Sequence, residues 1–240
     1  MSLEEEPKEE PYCRAMVVMA HPDDADWVCS GTVAKWCAQG WEVVYVLCTD
    51  GSKGSDDPAM TSQRLVEVRH QEQLNAGKVL GLHKVVFLDY PDAALQPTLE
   101  LRRDIAREIR RYRPDVLICS SPTRSLSSGS YLGHPDHFAA GEAALSAVYP
   151  TARDRLTFPE LLEEGLEPHK VREVWVMDRD NADQYVDVTD YLDTAIAALK
   201  AHKSQVTEEE ADTYMKRWRS EAGEKVGLQY AEAFKRVRLG

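Results

Sequence analysis

Apolar residues reach this chain in short unbroken runs, separated by stretches in which they recur at helical spacing. The first run, Ala15 to Ala20, has the length and composition of a strand buried on both faces. A helix is predicted next, from Asp24 or Asp26 to Gln39, with Gly40 as its stop. A second strand covers Glu42 to Cys48, followed by a polar loop rich in Gly, Ser and Asp from Thr49 to Thr61. The second helix spans Ser62 to Leu80. Leu65, Val68, Leu74 and Val79 give it an apolar face, and Gly81 closes it. The third strand is Lys84 to Leu88, with a turn at Asp89-Tyr90-Pro91-Asp92. The third helix, Thr98 to Tyr112, carries an Arg/Glu-rich solvent face and ends before Pro114. A fourth strand, Asp115 to Cys119, leads into a Ser/Gly-rich loop, Ser120 to Gly133, with the makings of a mobile rim or lid. The fourth helix runs from Pro135 to Val148.

Beyond Pro150 the pattern loosens. Glu173 to Met177 reads as a fifth strand and Tyr185 to Val188 as a short sixth. Thr189 or Asp190 caps a helix reaching Ala201. A polar linker, Ser204 to Thr213, precedes a last helix within Lys216 to Val237. Strand–helix alternation of this kind predicts an α/β fold with right-handed crossovers and a mostly parallel sheet, carrying a C-terminal α/β extension. Residues 12–240 are expected to form one domain behind an acidic, disordered tail, residues 1–11.

Composition narrows the partners. A formal net charge of −12 argues against nucleic acid or an anionic membrane, both of which need a basic face. No apolar run reaches the roughly 18 residues of a membrane span. The acidic tail lacks the pattern of a signal peptide. Five cysteines without a C-x-x-C pair read as reduced, mostly buried thiols, and a cytoplasmic location is expected. The five tryptophans are dispersed and read as core residues. The arginines from Arg102 to Arg111 alternate with acids, as on a salt-bridged outer helix face. Arg124 reads as a solvated loop residue, and His70, His83, His169 and His202 as surface or packing residues.

Two segments carry chemistry. His21-Pro22-Asp23-Asp24 sits where the first strand gives way to a helix, and His134-Pro135-Asp136-His137 repeats the arrangement downstream. In a doubly wound sheet the first and fourth strands are neighbours, and ligands bind at their carboxyl ends. His21 and Asp24, spaced i and i+3, share one face of a helical turn, and His137 supplies a third ligand. Two imidazoles and a carboxylate leave an open position on a tetrahedral zinc, one per chain, for a water acidified to a pKa of roughly 7. Fe2+ or another divalent ion also suits this donor set. Asp23 then reads as the base. His134 reads as an imidazolium that stabilises an oxyanion and protonates the leaving amine, with Asp136 holding its tautomer and raising its pKa.

Ala20-His21-Pro22-Asp23-Asp24 with Gly31-Thr32, together with Gly133-His134-Pro135-Asp136-His137, resembles the PIG-L/LmbE-like zinc-dependent N-deacetylases. Arg69-x-x-Glu72-Gln73, Leu80-Gly81, Phe87 to Asp92, Asp187 to Asp190 and His202-x-Ser204-Gln205 add to the resemblance. It implies a Rossmann-like three-layer sandwich, the same zinc ligands, base and electrophile, and sugar contacts from Arg69 and Asp92. It also implies hydrolysis of the acetamide of a small N-acyl amino sugar such as N-acetylglucosamine or a conjugate. By analogy alone, the chain is compatible with homo-oligomers. Ala25, Ser52 and Leu132 stand where relatives often carry Glu, Glu and Tyr. Two alternatives stay open: a metal-dependent amidase of a larger sugar–thiol conjugate, and a nucleotide-binding module. The second would need a Gly-rich turn after the first strand, and none is present.

Overall fold

Alternate residues of the first apolar run feed two separate cores. In a computed structural model describing residues 11–126 and 132–239, β1 (Arg14–Met19) sends Met16 and Val18 into one apolar layer and Ala15, Val17 and Met19 into the other. A strand covered on both faces needs apolar side chains at every position, so its run is continuous. Then come α1 (Asp24–Val28), α2 (Ser30–Ala38), β2 (Glu42–Thr49), α3 (Ser62–Leu80), β3 (Lys84–Tyr90), α4 (Leu99–Tyr112), β4 (Val116–Ser120) and α5 (Pro135–Ser146). The chain continues through α6 (Glu160–Glu163), β5 (Glu173–Met177), β6 (Gln184–Asp187), α7 (Leu192–Leu199), α8 (Glu208–Glu224) and β7 (Ala231–Arg238). The expected disordered tail lies, but for Pro11, outside the described residues, as do residues 127–131 of the expected lid.

One seven-stranded sheet runs in the order β3-β2-β1-β4-β5-β7-β6. Its first five strands are parallel, while β7 pairs antiparallel with both β5 and β6. Between β1 and β4 the crossovers change direction, which opens a crevice at the carboxyl ends of these strands. Among the described residues, no helix is long and apolar enough to cross a membrane.

The C-terminal region departs from expectation. A single late helix was predicted within Lys216 to Val237; instead α8 starts at Glu208, fixed by a capping box between Thr207 and Glu210, and residues 231–238 form a strand. Ala, Glu, Lys and Arg favour helix locally, but the open edge of β5 recruits this segment by pairing Val174 with Val237 and Trp175 with Arg236. The predicted third strand runs on to Tyr90, which pairs with Thr49. The predicted fourth helix gives way after Ser146 to a π-turn, Ala147–Thr151, in which Tyr149 is non-helical. Arg110 is not on an outer face: it is buried, and its guanidinium donates to the carbonyls of Thr151, Ala152 and Asp154.

The predicted first helix is broken at Cys29 (φ −141°, ψ 11°), and β7 supplies the reason. The Glu232 carboxylate accepts from the N–H groups of Gly31 (3.0 Å) and Thr32 (2.7 Å), capping the start of α2. Arg219 of α8 donates its Nε–H to the same carboxylate at 3.0 Å, balancing a charge that is only 3% exposed. Gly31 permits this approach, since a Cβ there would lie 2.8 Å from Cβ of Val188. The C-terminal extension is thus keyed into α2, the second of the two helices that follow the first motif. Glu232→Ala would leave Arg219 buried without its partner, and is expected to cost about 3–5 kcal/mol in urea unfolding. A loss below about 0.5 kcal/mol, as for an ordinary surface change, would contradict this role.

Candidate metal centre and active site

The two motifs are built by the local rules of strand ends and helix starts. After β1 the chain turns sharply at Asp23, whose backbone lies at φ 96° and ψ −32°, a costly conformation for a residue with a side chain. The N–H of His21 donates to Asp24 Oδ2 at 2.8 Å, closing the turn. On the other side of the crevice, His134 is the N-cap of α5 and Pro135 its first residue. Gly133 precedes them at φ 74°, where a Cβ would run into the Phe138 ring. Arg124, an exposed loop residue as expected, packs over that ring at 4.7 Å and donates to the carbonyls of Leu132 and Gly133, so it also supports the motif.

His21, Asp24 and His137 converge. Nδ1 of His21 lies 3.3 Å from Nε2 of His137. Asp24 Oδ2 is 3.2 Å from the first nitrogen, and Oδ1 is 3.1 Å from the second. Bonds of about 2.0–2.1 Å to a tetrahedral ion would set two ligand atoms about 3.3–3.4 Å apart. The three side chains thus gather within reach of one divalent cation, with one oxygen of Asp24 beside each imidazole. Charge points the same way. Burial opposes protonation of His21, yet the carboxylates of Asp24, Asp136 and Asp92 push its imidazole up to about 12. Despite its own burial, Asp24 is held well below the usual carboxylate range by His137 and His21. A pocket that binds a proton so firmly is one in which negative charge calls for a cation.

The far edge of His21 explains two further acids. Its Nε2 is 3.1 Å from Asp92 Oδ1 and 3.3 Å from Asp136 Oδ2, so these carboxylates hold a proton on Nε2, and it is the Nδ1 proton that a bound ion would displace. Asp136 also accepts from the N–H groups of Ala93 (2.8 Å) and Leu95 (3.2 Å), and Asp92 from that of Lys53 (2.9 Å). This corrects the expectation for Asp136. Its carboxylate stands 3.9 Å from Nδ1 of His134 and serves His21 instead. What His134 receives is the Asp136 backbone N–H, donated to Nδ1 at 3.2 Å. That bond leaves a neutral ring with its proton on Nε2. Burial and the neighbouring His21 lower the His134 pKa; Asp136 pulls it upward, as expected, but is outweighed.

Among the described residues two groups of ligand atoms lie close together, His21 with Asp24 and His137, and His21 with Asp92, His134 and Asp136; Asp23 belongs to neither. Burial, with Asp24 beside it, pushes its carboxyl up to about 6, against the pull of Arg69 and His202. Arg69, expected at the sugar, is 4% exposed. Its guanidinium donates to the carbonyls of Pro22 (2.7 Å), Gly51 (3.1 Å) and Lys53 (3.2 Å) and lies 3.6 Å from Asp23 Oδ1. Asp92, at 6% exposure, is engaged with His21 and Lys53. Both bind protein groups around the reactive cluster. His134 is the open wall of the site, its side chain 38% exposed, and His137 follows at 28%.

Three residues escaped the sequence reading. Gln73, Asp26 and His202 are fully buried and hydrogen-bonded in a row. Of the two readings for His202, surface or packing, the structure supports the second. Glu72 accepts from both the N–H (2.8 Å) and the hydroxyl (2.7 Å) of Ser204. The signal lay in two pairs, Glu72-Gln73 and His202-x-Ser204, noted separately but not connected.

Comparison with known proteins agrees with this architecture. The PIG-L family profile, described as GlcNAc-PI de-N-acetylase, matches residues 16–148. Diacetylchitobiose deacetylase of Thermococcus kodakarensis is 30% identical over 227 residues, 93% of this chain and 83% of the relative. The 1D-myo-inositol 2-acetamido-2-deoxy-alpha-D-glucopyranoside deacetylase of Saccharomonospora viridis is 29% identical over 234 residues, 80% of this chain and 85% of that protein. The solved structure of N,N'-diacetylchitobiose deacetylase from Pyrococcus horikoshii, complexed with its inhibitor MPG, superposes with a TM-score of 0.87 at 27% identity. It covers 95% of this chain and 84% of its own. With a profile spanning more than half its residues and a relative matched along most of its length, the chain belongs to the PIG-L family of de-N-acetylases.

Proposed function

We propose that this protein is a zinc-dependent hydrolase that removes the acetyl group from an N-acetylglucosamine-type amino sugar. The observation that carries this reading is the convergence of His21 Nδ1, Asp24 and His137 Nε2 beside an accessible His134. A divalent ion held by these three side chains would supply an acidified water and polarise the acyl carbonyl. The protein's own groups do the rest. Asp23, with a carboxyl at about 6, takes a proton from the attacking water near neutral pH. His134 directs its Nε2–H at the developing oxyanion, as the backbone bond to Nδ1 dictates. Because that ring is neutral, the proton for the departing amine comes back from Asp23. The products are a free amine and acetate. Asp92 and Asp136 keep His21 in the tautomer that this arrangement requires.

The direct test is amine release from a panel of N-acetylated mono- and disaccharides, with metal quantified in each sample. Asp23→Asn is expected to lower kcat by about 10²–10⁴-fold while the metal stoichiometry stays that of the parent. His137→Ala should lose the metal itself. A fully active Asp23→Asn enzyme, or unchanged zinc in His137→Ala, would refute the corresponding assignment. Asp136→Asn separates the two roles considered for that residue. If it orients His21, metal affinity falls about 10–100-fold in a chelator competition. Unaltered affinity with a lower kcat would return Asp136 to His134.

A further inference from the structure

From Asp23 a chain of buried side chains leads away from the reactive groups through three segments of the fold. The Asp23 N–H donates to Gln73 Oε1 at 3.0 Å. Gln73 Nε2 donates to Asp26 Oδ2 at 2.7 Å, and the same oxygen accepts from His202 Nε2 at 2.8 Å. Gln73 comes from α3, Asp26 from α1, and His202 from the segment just after α7. All three are 0% exposed, and none belongs to the groups of close metal-ligand atoms.

This chain addresses a specific problem. At φ 96° the Asp23 backbone sits where an L-residue is strained, and such a conformation persists only where its surroundings over-determine it. Gln73 fixes the N–H of that residue, but only if its amide presents oxygen and not nitrogen. A side-chain amide can face either way, and a carboxylate partner decides the matter, because it only accepts. Asp26 therefore draws the Gln73 NH2 to itself and leaves Oε1 for Asp23. His202, donating to the same Asp26 oxygen, holds that carboxylate in place.

We infer that Gln73, Asp26 and His202 are positioning residues for the reaction: they lock the backbone of Asp23 and so aim its carboxylate. This rests on Asp23 being the base. The roles follow from geometry at a distance from substrate, since a misplacement of about 1 Å in a reacting group costs on the order of 100-fold in rate.

The test is steady-state deacetylation with metal analysis and circular dichroism on each purified variant. Gln73→Met keeps the length and volume of the side chain but neither hydrogen bond. It is expected to lower kcat about 10–100-fold, with KM and metal stoichiometry unchanged. His202→Leu should behave alike, and His202→Gln, which retains a donor toward Asp26, should recover most of the loss. This pair reads the same linkage if Gln73→Met fails to fold. In an Asp23→Asn background, Gln73→Met should cost nothing more, because the group it aims is already gone. Independent, multiplicative losses, a change confined to KM, or loss of metal would overturn the inference. An unaltered kcat in Gln73→Met would overturn it alone, whereas a fully active Asp23→Asn enzyme would remove the base assignment and this inference together.

Discussion

The parallel pairing of β1 with β4 is the constraint on which the rest of this molecule depends. Ala15 faces Val116 and Val18 faces Cys119 in that register. It brings the end of one strand beside the end of another, and so carries two imidazoles 116 residues apart in sequence to 3.3 Å. A slip of one residue would turn every side chain of β1 to the opposite layer. Both layers are closely filled, by Met16 and Val18 on one side and Val17 and Met19 on the other, so the core itself enforces the register that the chemistry needs.

Around that meeting point the acids are arranged in tiers. Asp24 joins the two imidazoles directly, while Asp92 and Asp136 stand behind His21 and are tied to backbone N–H groups of neighbouring loops. Arg69 gathers the carbonyls of Pro22, Gly51 and Lys53 and offsets part of the negative charge. The Gly51 position, at φ 64°, suits a residue without a side chain: a Cβ there would be strained and would crowd Cδ of Pro22 at 3.0 Å and Nε of Arg69 at 3.1 Å. The reactive groups therefore sit on strand ends and helix starts, with loop backbone fixed around them by charged side chains. Farther out, Glu232 ties the C-terminal strand to α2, and His202 ties the segment after α7 to α1. The extension is part of the frame that holds the first motif.

Much of this was legible in the amino-acid sequence because the physical signals were local. Continuous apolar runs marked the parallel strands, and the two His-Pro-Asp motifs lie where strands give way to helices. The failures are equally physical. On α3 the predicted face included Leu74 and Val79, which are 39% and 44% exposed, while the buried stripe is Leu65, Arg69, Glu72, Gln73, Ala76, Gly77 and Leu80. Three of those seven residues are polar, so a search for apolar spacing could not find the stripe. Those polar residues are buried because they bind the turn of the first motif and the segment around His202 and Ser204. The helical composition of Ala231 to Arg238 was overridden by the free edge of β5, a partner that no local window contains. Asp136 was paired with the histidine two residues before it; folding gave it one 115 residues away.

The proposed chemistry requires three side chains from two corners of the backbone to share one ion. Crystals of the zinc-loaded protein, measured at X-ray energies on either side of the zinc edge, would locate that ion without reference to activity. The expected result is an anomalous peak about 2.0–2.2 Å from His21 Nδ1, His137 Nε2 and a carboxylate oxygen of Asp24. A peak held by other residues, with His21 and His137 turned away from each other, would contradict it.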